Sequence, residues 1–286
     1  MDTDAASLFW FLVPWVVVPG VFVVLALRSP SWRQMTRWAA AAQVTITENN
    51  EGLIADRLGR ARRYRSLASF PLWWIPGVPL IIGPEPAWLT RSAWIPLTAY
   101  IVGSMVAGLR GAGDHRGVRS ATLDPRSASD YVPANFRWAP LALLGPSAIL
   151  LAAIELFGAG VPIQLRWHVP QLMVAAAVAL AAEGAVRALA SQPQPAAAPS
   201  VLDADDALRA TGATAAVASA VMLALLNLGG LVSAAAPRGW VAWATMPIGV
   251  VTTGGACLML WMVVTQQPWV PSRRRAGRPQ PAPLGR

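Results

Sequence analysis

The chain has 286 residues, 55% of them hydrophobic and only 13% charged, with mean hydropathy +0.46 and formal net charge +9. A soluble domain carries about 25% charged residues, so this composition excludes an ordinary soluble globular protein and points to apolar segments placed in a membrane. A single cysteine, Cys257, excludes an internal disulfide and Cys₄ or Cys₂His₂ metal sites.

All 23 basic residues are Arg, and Ala, Gly and Pro are abundant. Such usage follows GC-rich codons and suggests a high-GC bacterial genome. The two histidines, His115 and His168, fall in different loops, which makes a two-His zinc site improbable. No G-x-S-x-G, H-E-x-x-H or P-loop pattern occurs.

A spanning helix needs about 20 mostly apolar residues. Seven runs are expected to span: residues 8–27, 67–83, 94–109, 140–157, 169–190, 213–231 and 240–265. The fold expected is therefore an all-α polytopic bundle. The first run follows Asp2 and Asp4 and precedes Arg28, Arg33 and Arg37, so its charge order is the reverse of a signal peptide's.

Between the first and second runs lie two predicted amphipathic helices. In "WRQMTRW", Trp32, Met35 and Trp38 share one side. In "TENNEGLIADRLGRARRYR", Thr47 or Asn50 caps the helix start, and Ile54, Leu58 and Ala61 share one face. Asp56 and Arg60 make an i, i+4 pair. This second helix is expected to lie on the membrane surface. A partner-docking role for Arg57 to Arg65, through Arg60, Arg62 and Arg63, is the alternative.

The second run, "FPLWWIPGVPLIIGP", contains Pro71, Pro76, Gly77 and Pro79. These break or kink a helix, and broken helices line substrate sites in many transporters. Pro76 and Gly77 are candidate functional residues on that ground, although Pro and Gly also occur in ordinary spans. The loop after the third run holds "TLDPRSASDYVP", in which Asp124 and Pro125 read as N-cap and N1, and Pro133 as a stop.

Acids inside spans are pointers to ion or proton paths. Glu155 lies near one end of the fourth run. Glu183 lies near the opposite end of the fifth, one turn before Arg187. Glu183 and Arg187 are a candidate functional pair. After the Pro-rich spacer "SQPQPAAAPS", the stretch "PSVLDADDALRAT" gathers Asp203, Asp205 and Asp206.

Starting at Asp203, the Gly and Glu of an EF-hand are absent. A soluble cyclase barrel of the D-x-D-D kind, or two aspartate-rich diphosphate loops, finds no support elsewhere in the chain. The structural reading has Ser200 capping a helix in an S-x-x-D box. The three Asp would sit in the first turns, Asp205 would pair with Arg209, and the helix would run on into the sixth span. What remains is an acidic patch on a basic face, able to neutralise nearby Arg or to dock a partner. No cofactor or metal is expected. In "TTGGAC" and Gly229-Gly230, small residues permit close helix packing.

With seven spans, 20 Arg fall on one side and only Arg91, Arg166 and Arg238 on the other. The positive-inside rule then places the N-terminus outside and the C-terminus in the cytoplasm. Trp10, Trp32, Trp88, Trp94, Trp138, Trp167, Trp240 and Trp269 sit at predicted ends, as interfacial anchors do. The positive charge thus fits topology and anionic headgroups, not nucleic acid. Residues 266–286 read as a basic, Pro-rich, disordered tail. The caps Thr47, Asp124 and Ser200 recur at near-equal spacing. That suggests three hairpins plus a seventh helix, though regular hydropathy alone yields the same spacing.

The segments "TENNEGLIADRLGRARRYR", "ATLDPRSASDYVP" and "DADDALRAT" give the chain a resemblance to uncharacterised multi-pass membrane proteins of actinobacteria. The resemblance implies a plasma-membrane location and carries over no activity and no site residue. The function expected from the sequence is a non-enzymatic, transport-associated membrane component, with another membrane or cytoplasmic subunit as an open partner. A sensory or regulatory protein docking a cytoplasmic partner is one alternative. A membrane enzyme acting on a lipid headgroup is the other.

Overall fold

The computed structural model describes residues 20–69 except 22, 25 and 26, together with 94–111, 119–120, 126–157, 168–195, 197–235, 242–266 and 268. Within them the chain is helical: α1 Trp32–Ala42, α2 Glu48–Ser69, α3 Trp94–Gly111, α4 Ala134–Phe157, α5 His168–Ser191, α6 Pro199–Ala235 and α7 Ala242–Thr265. A single 3₁₀ turn, Ala128–Asp130, precedes α4. A two-residue antiparallel pair joins Arg119–Ser120 to Gln194–Pro195.

Four of the described helices are long and apolar enough to cross a membrane: Ala134–Leu156, His168–Ser191, Pro199–Val232 and Pro247–Thr265. They carry the fourth to seventh expected spans. The third expected span falls on α3, whose apolar part, Thr98–Leu109, is shorter. The first span lies almost wholly outside the described residues. So do the second span after Ser69, with Pro76 and Gly77, and the tail beyond Gln266 apart from Pro268.

The organising element is α6. Its 37 residues extend about 55 Å at 1.5 Å per residue, far beyond the ~30 Å of a hydrocarbon core. It packs against α2, α3, α4, α5 and α7. Alanine makes this possible: Ala204, Ala207, Ala210, Ala213, Ala216 and Ala220 are all buried along it. Small side chains let neighbouring backbones approach, which is what drives helix association where apolar burial gives no advantage over lipid.

The same reasoning fits α7. A Cβ at Gly229 would lie 2.7 Å from Thr252 Oγ1, and one at Gly255 would lie 2.9 Å from Leu225 Cδ1. Close packing through Gly229 and "TTGGAC" is thus borne out at two of the expected positions. Gly254, with nothing within 4 Å, is not one of them.

Two large apolar clusters divide α6, and a small third joins its Leu231 to Leu151. Along its spanning part, α3, α4, α5 and α7 supply Met105, Phe136, Leu189, Met259 and Val263 among others. Around its N-terminal end, Met35, Trp38 and Ala42 of α1 and Ile54 and Leu58 of α2 pack on Ala204, Ala207 and Leu208. The expected surface-lying helix is corrected here. The apolar face of α2 is spent on α6, so α1 and α2 form a protein-packed cap, with Trp32 left exposed.

The cap is pinned by polar contacts. Asn50, fully buried, accepts from the Thr47 N–H at 2.7 Å and donates to the carbonyls of Thr45 and Ser200. Trp38 Nε1 donates to Thr211 Oγ1 at 3.1 Å. Arg62 donates to Gln34 Oε1 at 2.7 Å.

One cap expectation is borne out and two need adjustment. Thr47 is the N-cap of α2, since its carbonyl accepts from Asn50 and Glu51 N–H. Ser200 is not a cap: the carbonyl of Ala198 accepts from Val201 and Leu202, which leaves Pro199 at N1. Pro133 is the N-cap of α4 rather than a stop, because its carbonyl accepts from Phe136 and Arg137. Asp124 lies outside the described residues, so the repeat of three caps rests on Thr47 alone.

Candidate functional site: a buried arginine cluster

Asp205 is the centre of the site. It was expected at a helix start, beside solvent, but α6 begins at Pro199 and no acid occupies its first turn. Asp205 is instead the seventh helical residue, 0% exposed. Its Oδ1 accepts from Arg57 Nη2 of α2 at 2.8 Å, and its Oδ2 accepts from Arg209 Nε at 2.8 Å. The i, i+4 pair with Arg209 is therefore present as expected, but inside the protein and shared with a second guanidinium.

Arg209 uses its remaining donors on the end of α5. Nη1 donates to the carbonyls of Leu189 and Gln192, and Nη2 to that of Pro193 at 2.9 Å. Carbonyls at a helix C-terminus have no intrahelical partner. One buried side chain thus satisfies several of them and places its charge at the negative end of the α5 dipole.

Arg65 does the same for α7. It donates to the carbonyl of Val263, two residues before α7 ends, and its Nε donates to Ala61 at 3.0 Å. Its guanidinium also lies 6.0 Å from the Tyr100 ring centroid. Only 4% of the side chain is exposed. No carboxylate among the described residues forms an ion pair with it. Burial pulls the Arg57 and Arg65 guanidinium groups below the ordinary arginine range, opposed chiefly by Asp205 for Arg57 and by Tyr100 for Arg65.

Between these residues lies a cavity of about 50 Å³, lined by Arg57, Arg65, Ser104, Gly108, Thr211 and Gln266 among others. The floor is narrow because α3 and α6 nearly touch: a Cβ on Gly108 would sit 3.4 Å from Gly212 Cα. Thr211 and Ser104 spend their hydroxyl protons on the carbonyls of Ala207 and Tyr100.

The other candidate residues lie elsewhere. Asp206 meets Arg126 at 3.3 Å and accepts from the Tyr131 hydroxyl at 3.4 Å, tying the 3₁₀ segment to α6. Asp203 is half-buried one turn earlier. Of the two roles expected of the acidic patch, neutralising Arg is present, through Asp205 with Arg57 and Asp206 with Arg126, while the enclosed Asp205 offers no docking surface.

Glu183 pairs with Arg187 at 2.8 Å as expected, but also with Arg137 of α4, whose Nε donates at 3.0 Å. It therefore joins two helices. The fourth expected span begins at Pro140, six residues after α4 does, and so leaves Arg137 out. Glu155 is exposed near the end of α4. Arg57 and Arg65 were also missed, although a signal existed. The stripe Ile54, Leu58, Ala61 continues at the same helical spacing to Arg65, and Arg57 lies beside it.

Tyr131 offers a check on the Asp206 contact. Burial and then Asp206 push its hydroxyl up from 10.0 to about 12. The neutral phenol is favoured in the folded state, so its stabilisation is fully present below pH 10 and is lost as pH rises through about 12. Thermal melts in detergent are expected to show stability falling across that window, and Tyr131→Phe is expected to flatten the fall. An unchanged slope in the variant would reject this assignment.

The fold and site define an all-helical protein with several helices of membrane-spanning length and a buried, ionised centre at one end of them. Compared with known proteins, the chain matches no family model, no curated protein and no solved structure. Among the described residues, no three His, Cys, Asp or Glu side chains gather as a metal site would require.

Proposed function

We propose that the protein is a non-enzymatic, transport-associated component of the bacterial plasma membrane, with seven spans, the N-terminus outside and the C-terminus in the cytoplasm. The observation that supports it best is the buried triad of Arg57, Asp205 and Arg209 beside a cavity that Arg57 and Arg65 line. Ionised groups inside a membrane bundle are costly, and they mark ion or solute sites more often than structural ones. Under seven spans, the imbalance of 20 Arg against Arg91, Arg166 and Arg238 supports a cytoplasmic side for this end of the bundle, next to anionic headgroups.

The rival readings have less support. A docking surface over Arg57 to Arg65 loses Arg57 and Arg65, which are buried, and Arg60, which pairs with Asp56. A lipid-headgroup enzyme needs converging acids, whereas Asp205, Asp206 and Glu183 are each held by a different arginine.

The test is uptake. Inside-out and right-side-out membrane vesicles, with and without the protein, would be compared across a panel of labelled inorganic and organic anions. The reading expects uptake of at least one solute to depend on the protein and to fall in Arg65→Gln. Identical uptake across the panel, with the protein verified in the membrane, would reject it.

A further inference from the structure

We propose that the groove between α4 and α5 binds an anionic phospholipid, with the lipid phosphodiester held by Arg137 and Arg187. The proposal rests on reading α4 and α5 as membrane spans, but not on transport.

The head of the groove lies where α4 begins and α5 ends. There Glu183 Oε1 accepts from Arg187 Nε at 2.8 Å and also from Arg137 Nη2, while its Oε2 accepts from Arg137 Nε at 3.0 Å. A shared carboxylate oxygen brings the two guanidinium groups side by side. Two positive charges then meet one negative charge, and none of the three side chains forms another ion pair among the described residues. The surplus of one positive charge matches the single negative charge of a phosphodiester. A zwitterionic lipid would bring a cation of its own to a site that is already positive.

The donors match as well. Glu183 takes Nε and Nη2 of Arg137 but only Nε of Arg187. Nη1 of Arg137 and both Nη atoms of Arg187 have no partner among the described residues, and the Arg187 side chain is 65% exposed. A guanidinium fork matches two oxygens of one phosphate. Here Glu183 fixes the direction of the fork before a ligand arrives, which lowers the ordering cost of binding.

Below the head, the groove suits acyl chains. On α5, Leu180 and Met173 are exposed about two and four turns before Arg187, on the same face. From Arg187 to Met173 the helix covers about 21 Å, longer than the ~15 Å depth of one leaflet. On α4, Trp138, Ile149 and Leu156 are exposed along one face, and Trp138 follows Arg137 directly, where an amphipathic ring prefers the headgroup region. Both stripes turn away from α6, which packs on the opposite faces of the two helices. Gly184, exposed on the turn between Glu183 and Arg187, leaves the head of the groove open: a Cβ there would meet nothing within 4 Å.

The full chain is purified in a neutral detergent, stripped of phospholipid, and melted during titration with short-chain phosphatidylglycerol, phosphatidylcholine or inorganic phosphate at constant ionic strength. Phosphatidylglycerol is expected to raise Tm saturably, by roughly 5–10 °C at a hundredfold excess over Kd. Arg187→Gln removes the exposed fork and leaves Glu183 paired with Arg137. Gly184→Leu fills the head of the groove and leaves all three charged residues in place. Each is expected to weaken binding about tenfold or more. Arg33→Gln, which removes an exposed charge from α1, is expected to change nothing.

A saturable rise with phosphatidylglycerol that weakens in Arg187→Gln and Gly184→Leu, but not in Arg33→Gln, supports the site. No saturable rise, an equal rise with phosphatidylcholine or inorganic phosphate, or equal weakening in Arg33→Gln overturns it. Should Gly184→Leu fail to fold, Arg187→Gln against Arg33→Gln decides alone, since Arg187 is a surface residue. Uptake is not read in this titration, so failure of the transport reading and failure of the lipid site are separate results. If carbonate washing strips the chain from membranes, the span reading fails and the lipid site with it.

Discussion

Replacing Asp205 with Asn is expected to lower the stability of the folded protein by about 3–5 kcal/mol, the cost of stripping one partner from a buried ion pair. Asn keeps the shape and removes the charge. Arg57 and Arg209, both enclosed, then face each other with no carboxylate between them. Arg209 keeps its carbonyl partners at the end of α5, but Arg57 loses the group that opposes the desolvation of its guanidinium.

The expected result is a large drop in the midpoint of thermal or denaturant unfolding in micelles. A second variant identifies the cause. Asp205→Asn combined with Arg57→Met removes one of the orphaned charges, and is expected to recover part of the loss, because uncompensated charge, not the missing hydrogen bond, dominates. If the double variant is no more stable than the single, the triad is not electrostatically coupled as its distances indicate.

Gly103→Ala is expected to be the second most damaging. In most helices Ala is better than Gly by about 0.5–1 kcal/mol. Here a Cβ would lie 2.7 Å from the Tyr64 carbonyl oxygen, 2.8 Å from Ala68 Cβ and 3.1 Å from Arg65 Cα. Two of those three atoms are backbone, so no rotamer relieves the overlap and α2 and α3 must separate. Overpacking of this kind costs about 1–3 kcal/mol, which outweighs the gain in helix propensity. Separation also moves Arg65 away from Val263 and Tyr100. The variant should therefore melt earlier than wild type. A melting point equal to or above that of wild type would show that the two helices are not held at this spacing.

Much of the candidate site was legible as residues and not as a place. The pair Asp205 and Arg209 follows from i, i+4 spacing, and the pair Glu183 and Arg187 likewise. Their second partners, Arg57 and Arg137, are separated from them by 148 and 46 residues, and no local periodicity announces a contact across such distances. The helix carrying Arg57 to Arg65 has an apolar stripe equally able to lie on a membrane or on a protein. The choice was made by α6, whose alanines leave space for α2 to approach.

The amino-acid sequence by itself determined the all-helical class, the apolar helices from the fourth run onward, and the continuity of the Asp-rich stretch with its span. Each depends on composition or on the 3.6-residue period, which act along the chain. The tertiary structure alone decided that Asp205 is enclosed, that Arg57 and Arg209 hold it from two helices, and that Arg209 and Arg65 close the ends of α5 and α7. Burial of a charge depends on what arrives from elsewhere in the chain to replace its water, and that is settled only when the helices pack.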